Sequence, residues 1–168
     1  MNLTAAGVRI AVIGVGNDYR HDDGVGWTVV AGLAQRRQQR PLPHDVTFLC
    51  TDGDPGRLIS AWEDAHLAIV VDAAHARPAR PGHVHRLRID NGLPRSPRAG
   101  TSSHGFALGD TVRLARTLER LPAELLVYAV EAADTSLGTG LSPLVAAAVE
   151  PLIQRITEDL VRGAAAGQ

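Results

Sequence analysis

At 168 residues, 45% apolar and 4% aromatic, the chain has enough length for one domain whose core is mostly Val, Leu, Ile and Ala. A formal net charge of −1 leaves no basic footprint for nucleic acid. The single cysteine, Cys50, excludes an internal disulfide and a thiolate-rich zinc site, and it reads as a buried strand residue in a reducing cytoplasm.

The opening MNLTAAGVRI lacks the apolar core of a signal peptide, and no apolar run is long enough to span a bilayer. Residues 1–6 read as a loose end. Val8 to Ile13 is apolar on both faces, as a central parallel strand is. Gly14-Val15-Gly16-Asn17 then turns the chain, and a short polar stretch leads to Asp22-Asp23-Gly24. From Gly24 to about Arg40, Val25, Val29, Val30 and Leu33 recur at helical spacing, and Pro41-Leu42-Pro43 ends the pattern. Val46 to Cys50 is the second predicted strand. The loop Thr51 to Gly56 follows, and Pro55 enters the first turn of a helix reaching about Ala65.

Leu67 to Val71 is a third buried strand and is followed directly by Asp72. His83 to Ile89 alternates apolar and polar residues, as an edge strand does. Asn91 to Ser103, rich in Pro, Gly, Ser and Arg, reads as a mobile loop. His104 to about Arg120 is helical, with Leu108, Val112, Leu114, Ala115 and Leu118 on the inner side. Leu125 to Val130 is the last strand, and Glu131 to Leu141 is a loop. Ser142 as N-cap and Pro143 open a final helix to about Val161. Gly163 to Gln168 reads as a second loose end. The order β-α-β-α-β-β-α-β-α predicts a single three-layer α/β/α domain with a mostly parallel five-stranded sheet, its fourth strand at an edge and open to an antiparallel setting.

Ligands in such sheets bind at the carboxyl ends of central strands. Three chain positions are predicted there: the acid pair Asp22-Asp23, Asp72 and His104. Asp22 and Asp23 precede a helix N-terminus, where a cap is the ordinary explanation for one of them and leaves the other to be accounted for. Asp72 ends a buried strand, and its neighbours Ala73 and Ala74 leave space above it, although an acid there also commonly caps the next turn. His104 sits at a helix start, where a lone histidine is ordinarily a surface residue. If His104 converges on Asp23 and Asp72, one imidazole and two carboxylates suit nickel, zinc or iron better than calcium. His83 and His85 share a strand face at a metal-compatible spacing, but a polar edge explains them as well. Asp52 and Asp54 read as turn residues. His21, His44, His66 and His75 have no evident partner. Gly14-x-Gly16 hints at a dinucleotide loop, but Tyr19 stands where a third glycine belongs, and acids at the helix start repel a pyrophosphate.

The stretch Gly14 to Gly26, GVGNDYRHDDGVG, resembles the G-x-G-N-x-x-x-x-D-[DE]-G-x-G opening of the hydrogenase maturation proteases. These endopeptidases trim the C-terminal extension of [NiFe] hydrogenase large subunits. Asp52-Gly53, Val70-Val71-Asp72-Ala73, Ser103-His104 and Glu131 to Pro143 resemble further family segments in the same order. The loop Asp52 to Gly56 departs from the family at Asp54-Pro55, where small residues are expected. The resemblance implies that Asp23, Asp72 and His104 contact nickel, with Asp23 shorter than the Glu of some members, and that Asp23 and Asp72 are catalytic. It implies that the nickel is carried by the substrate, a hydrogenase large-subunit precursor, rather than held as a resident cofactor. A monomer in the cytoplasm without nucleic-acid or membrane partners is expected. Two alternatives stand beside this reading: a self-sufficient metallohydrolase using the same three residues, and a non-catalytic nucleotide-binding module.

Overall fold

The computed structural model describes residues 7–42, 45–90 and 108–165. Its strands are β1 (Arg9–Val15), β2 (Asp45–Thr51), β3 (Leu67–Ala74), β4 (Val84–Asp90) and β5 (Glu124–Glu131). Its helices are α1 (Val25–Gln39), α2 (Pro55–Trp62), α3 (Leu108–Thr117) and α4 (Pro143–Ala165). The strands form one five-stranded sheet in the order β2-β1-β3-β5-β4. β1, β2, β3 and β5 are mutually parallel, and β4 closes one edge antiparallel to β5. The expected three-layer α/β/α architecture is therefore present, with the fourth strand in the antiparallel setting.

Alternation along the strands builds a core on each face of the sheet. Ile10, Val12, Ile69, Val71, Leu126 and Tyr128 pack on one face against Val25, Val29 and Leu33 of α1 and Leu152, Ile156 and Leu160 of α4. Ala11, Ile13, Ala68, Val70, Leu125 and Val127 pack on the other against Leu58, Ile59 and Trp62 of α2 and Val112 and Ala115 of α3. Each fully buried Val, Leu or Ile stabilises the fold by roughly 1.5–3 kcal/mol. From β1 the chain reaches β2 on one side and β3 on the other, with α1 and α2 on opposite faces. The carboxyl ends of β1 and β3 thus flank the topological switch point.

Some local expectations are corrected. Cys50 is exposed: β2 is an edge strand, and Cys50 points away from cover although Thr51 beside it is buried. Leu114 and Leu118 are 43% and 50% exposed rather than inward. The buried stripe of α3 is Leu108, Thr111, Val112 and Ala115, and Leu114 falls about a third of a turn away from it. β3 continues two residues past Asp72, and α4 runs on to Ala165. The hydroxyl of Ser142 donates to Asp22 instead of capping its own helix.

Candidate active site

The site begins with glycines that let backbone meet backbone at the end of β1. A Cβ on Gly14 would stand 2.5 Å from the Gly26 carbonyl oxygen, and one on Gly26 would stand 2.4 Å from that of Val71. The first turn of α1 therefore lies directly on β1 and on the residue that precedes Asp72. Gly16 has φ +143°, and a Cβ there would lie 1.8 Å from the Asp23 carbonyl oxygen. The same position is 3.6 Å from the carboxyl carbon of Asp23, so this side chain sits over the turn that leaves β1. Asn17 holds that turn by accepting the Tyr19 amide on its side-chain oxygen at 2.9 Å.

Asp22 and Asp23 occupy a 3-10 turn, His21–Gly24, ahead of α1. Asp22 is fully buried. Its Oδ2 accepts the amides of Ala133 and Asp134 at 2.8 and 2.9 Å and the Ser142 hydroxyl at 2.8 Å. Its Oδ1 accepts the Ser142 amide at 2.7 Å. Burial pushes its pKa up, but these hydrogen bonds outweigh burial and hold the carboxyl below the usual range. Asp22 is the anchor of the loop between β5 and α4. His21 joins the same seam: its amide donates to the Gly138 carbonyl at 2.9 Å, and its Nδ1 lies 3.0 Å from the Gly140 carbonyl oxygen.

Asp72 has a different environment. It is 9% exposed, and its carboxyl pKa is pushed up to about 7, first by burial and then by the charge of Asp23, against the pull of the Ala73 amide. Two carboxylates from opposite sides of the switch point are thus electrostatically coupled at the rim of the sheet. A carboxyl that exchanges its proton near neutrality, as Asp72 does, is suited to general acid–base work, and the oxygens of Asp72 and Asp23 are potential ligands for a cation. The charge of Asp23 is thus felt by Asp72 at this end of the sheet.

His104 and the expected mobile loop Asn91 to Ser103 lie outside the described residues, as does His44. Asp52 and Asp54 are turn residues, as expected. Asp52 accepts the Asp54 amide and pairs with Arg57, while Asp54 caps α2 by accepting the Arg57 amide at 2.9 Å. The glycines hinting at a dinucleotide loop are occupied by the chain's own backbone, which removes the close approach that a pyrophosphate needs. Glu131, expected to begin a loop, belongs to β5 instead. It ends β5 with 2% exposure beside His83 and His85. Its sequence signal is the same as that of Asp72, a lone acid closing an otherwise apolar strand.

Known proteins resemble this chain in sequence and in fold. A family model described as hydrogenase maturation protease (HycI) matches residues 28–159, a span containing Asp72 and His104. The chain is 27% identical over 150 residues to the Hydrogenase 2 maturation protease of Escherichia coli, covering 89% of this chain and 88% of that protein. Among solved structures, the hydrogenase maturating endopeptidase HybD from E. coli is similar with a TM-score of 0.69 and 26% identity, over 92% of this chain and 93% of that one. The [NiFe] hydrogenase maturation protease HybD from Thermococcus kodakarensis, at 23% identity, shares the fold with a TM-score of 0.68, over 91% of this chain and 99% of that one. With a family model matched over most of its length and a relative that spans nearly all of it, the chain belongs to the hydrogenase maturation protease family.

Proposed function

We propose that the protein is an endopeptidase that removes the C-terminal extension of a [NiFe] hydrogenase large-subunit precursor after nickel insertion, reading the nickel that the precursor carries. The observation that carries this reading is the coupled pair Asp23 and Asp72 at the switch point, with Asp72 poised to exchange a proton near pH 7. Together with the imidazole of His104, the two carboxylates supply part of a coordination shell and leave positions for cysteine ligands of the substrate. A precursor without nickel lacks the groups that complete that shell, so cleavage becomes conditional on metal loading.

Peptide hydrolysis requires a base for water, stabilisation of the oxyanion and an acid for the leaving amine. A carboxylate has two oxygens, so Asp72 can face the ion with one and accept a proton from water with the other. It then returns that proton to the departing nitrogen. The charge of Asp23 raises the proton affinity of Asp72 and places a second oxygen ligand at the rim. The nickel of the substrate acts as a Lewis acid on the scissile carbonyl. A cytoplasmic, monomeric enzyme is part of this proposal; among the described residues no helix is long and apolar enough to cross a membrane.

The test is incubation of the protein with nickel-loaded and nickel-free precursor, followed by mass spectrometry of the large subunit. Cleavage of the loaded form alone, lost in Asp23→Asn, Asp72→Asn and His104→Ala, is the expected result. Equal cleavage of both forms, or full activity in Asp23→Asn, overturns the reading.

A further inference from the structure

A second group of ligands lies one strand away from Asp72. On β5, Ala129 pairs with Asp72 of β3 on one side and with His85 of β4 on the other. Residues in one such row share a face of the sheet. At about 4.8 Å per strand, the backbones of Asp72 and His85 are roughly 10 Å apart across the small side chain of Ala129. Glu131 and His83 extend this face toward the carboxyl end of β5.

The side chains of His83, His85 and Glu131 each offer a ligand atom, and these atoms lie within 4.8 Å of one another. Nε2 of His85 is 2.8 Å from Oε1 of Glu131, and the two imidazoles meet edge-on at 4.7 Å between centroids. Backbone bonds hold the group rigidly. The Glu131 amide donates to the His83 carbonyl at 2.9 Å, the Gly82 amide donates to the Glu131 carbonyl at 2.9 Å, and the Arg80 amide donates to Oε2 of Glu131 at 2.5 Å. Gly82, at φ +82°, presses its turn against the start of α4, where a Cβ would stand 2.4 Å from the Leu144 carbonyl oxygen. Glu131 is buried, His85 is half-buried and His83 is exposed, so a ligand has one protected carboxylate and an open approach from solvent.

We propose that His83, His85 and Glu131 bind one divalent first-row transition-metal ion at a site separate from the Asp23–Asp72 pair. Two imidazoles and a carboxylate are a donor set used for zinc, and the exposed flank leaves a fourth position for water or a substrate group. Glu131 keeps the Arg80 amide as the outer support that fixes its orientation. To admit the ion, the contact between His85 and Glu131 opens so that both face it, and the exposed His83 ring turns inward.

The experiment is calorimetric titration of the isolated protein with Zn²⁺, with Co²⁺ absorption as a second readout of the ligand set. Wild type, His83→Ala/His85→Gln and Asp72→Asn are compared, each checked for folding by circular dichroism. One equivalent of Zn²⁺ is expected for wild type and for Asp72→Asn. In the double variant, affinity falls by more than the roughly 10–100-fold that loss of a supporting group costs, and the visible Co²⁺ spectrum collapses. His85→Gln alone, which keeps a polar group against Glu131, gives a partial loss and covers the case in which the double variant fails to fold. No Zn²⁺ bound by wild type, or undiminished binding without the two histidines, overturns the proposal. Loss of binding in Asp72→Asn instead places the ion at the carboxylate pair and overturns it too. Precursor cleavage is assayed separately, so failure here leaves the protease reading standing, and failure of cleavage leaves this site standing.

Discussion

Asp22 and Asp72 are both buried aspartates at the same end of the sheet, yet their surroundings drive them in opposite directions. Asp22 receives donors from Ala133, Asp134 and Ser142, and its carboxyl is held below the usual range. Asp72 is buried against the charge of Asp23, with the Ala73 amide pulling the other way, and its carboxyl is pushed up to about 7. Burial is common to the two, and the number of hydrogen bonds offered to the anion separates them. A satisfied carboxylate fastens loops together, whereas a poorly satisfied one retains the freedom to gain and lose a proton. Of the adjacent acids, Asp22 turns inward to the loop before α4, and Asp23 acts on Asp72 through its charge.

The sharpest way to break this comparison is to neutralise each acid without changing its shape. Asp72→Asn is expected to reduce cleavage of nickel-loaded precursor by roughly 10²–10⁴-fold, the range for loss of a general acid–base group, measured as the initial rate of extension release. Asp22→Asn replaces a fully matched acceptor with an amide that cannot take all four donors. It is expected to cost roughly 2–4 kcal/mol of stability, measured by urea denaturation, with activity recovered wherever the variant stays folded. Gly16→Ala drives a methyl into the Asp23 carbonyl at an unfavourable φ, and a loss of about 2–3 kcal/mol is expected. Displacement of Asp23 in that variant then lowers activity beyond what the lost stability explains.

The smallest expected effect is the pH dependence of stability. A carboxyl whose folded pKa is raised contributes stability that is fully present below its unfolded pKa and is lost as pH rises through the folded value. For Asp72 the window runs from 3.8 to about 7. Asp72→Asn is therefore expected to be more stable than wild type at pH 8, by on the order of 2 kcal/mol, because the buried amide must also find partners. Below about pH 4 the gain disappears. Asp22, with its pKa lowered, has the opposite sign: its stabilisation is present above the unfolded pKa and is lost as pH falls through the folded one. Melting curves of the two Asn variants across this range are expected to diverge from wild type in opposite directions at pH 8. Parallel curves erase the distinction between the two acids.

Much of the fold is legible in local patterns. Apolar runs such as Ile10 to Ile13 and Leu67 to Val71 announce central strands, and the alternation of Val84 to Ile89 announces the edge, because side-chain period and two-sided burial are written directly in residue order. Leu114 shows the limit of that reading. Its hydrophobicity suggests the inner stripe of α3, but the facing residues of α2 and the sheet decide where the stripe lies. Cys50 likewise reads as core until β2 is known to be an edge strand.

The sequence by itself determined the layered α/β/α plan, the glycine-rich turn after β1 and the presence of acids at the carboxyl ends of β1 and β3, since each follows from neighbouring residues. Only the tertiary structure decided which of Asp22 and Asp23 is structural, because the donors that satisfy Asp22 come from residues 111 to 120 positions away. It also decided that Asp72 lies within reach of the charge of Asp23, and that Glu131 joins His85 of β4 and His83 just before it. Hydrogen bonding and charge act through space, and a carboxylate's role depends on partners that the order of residues does not place beside it.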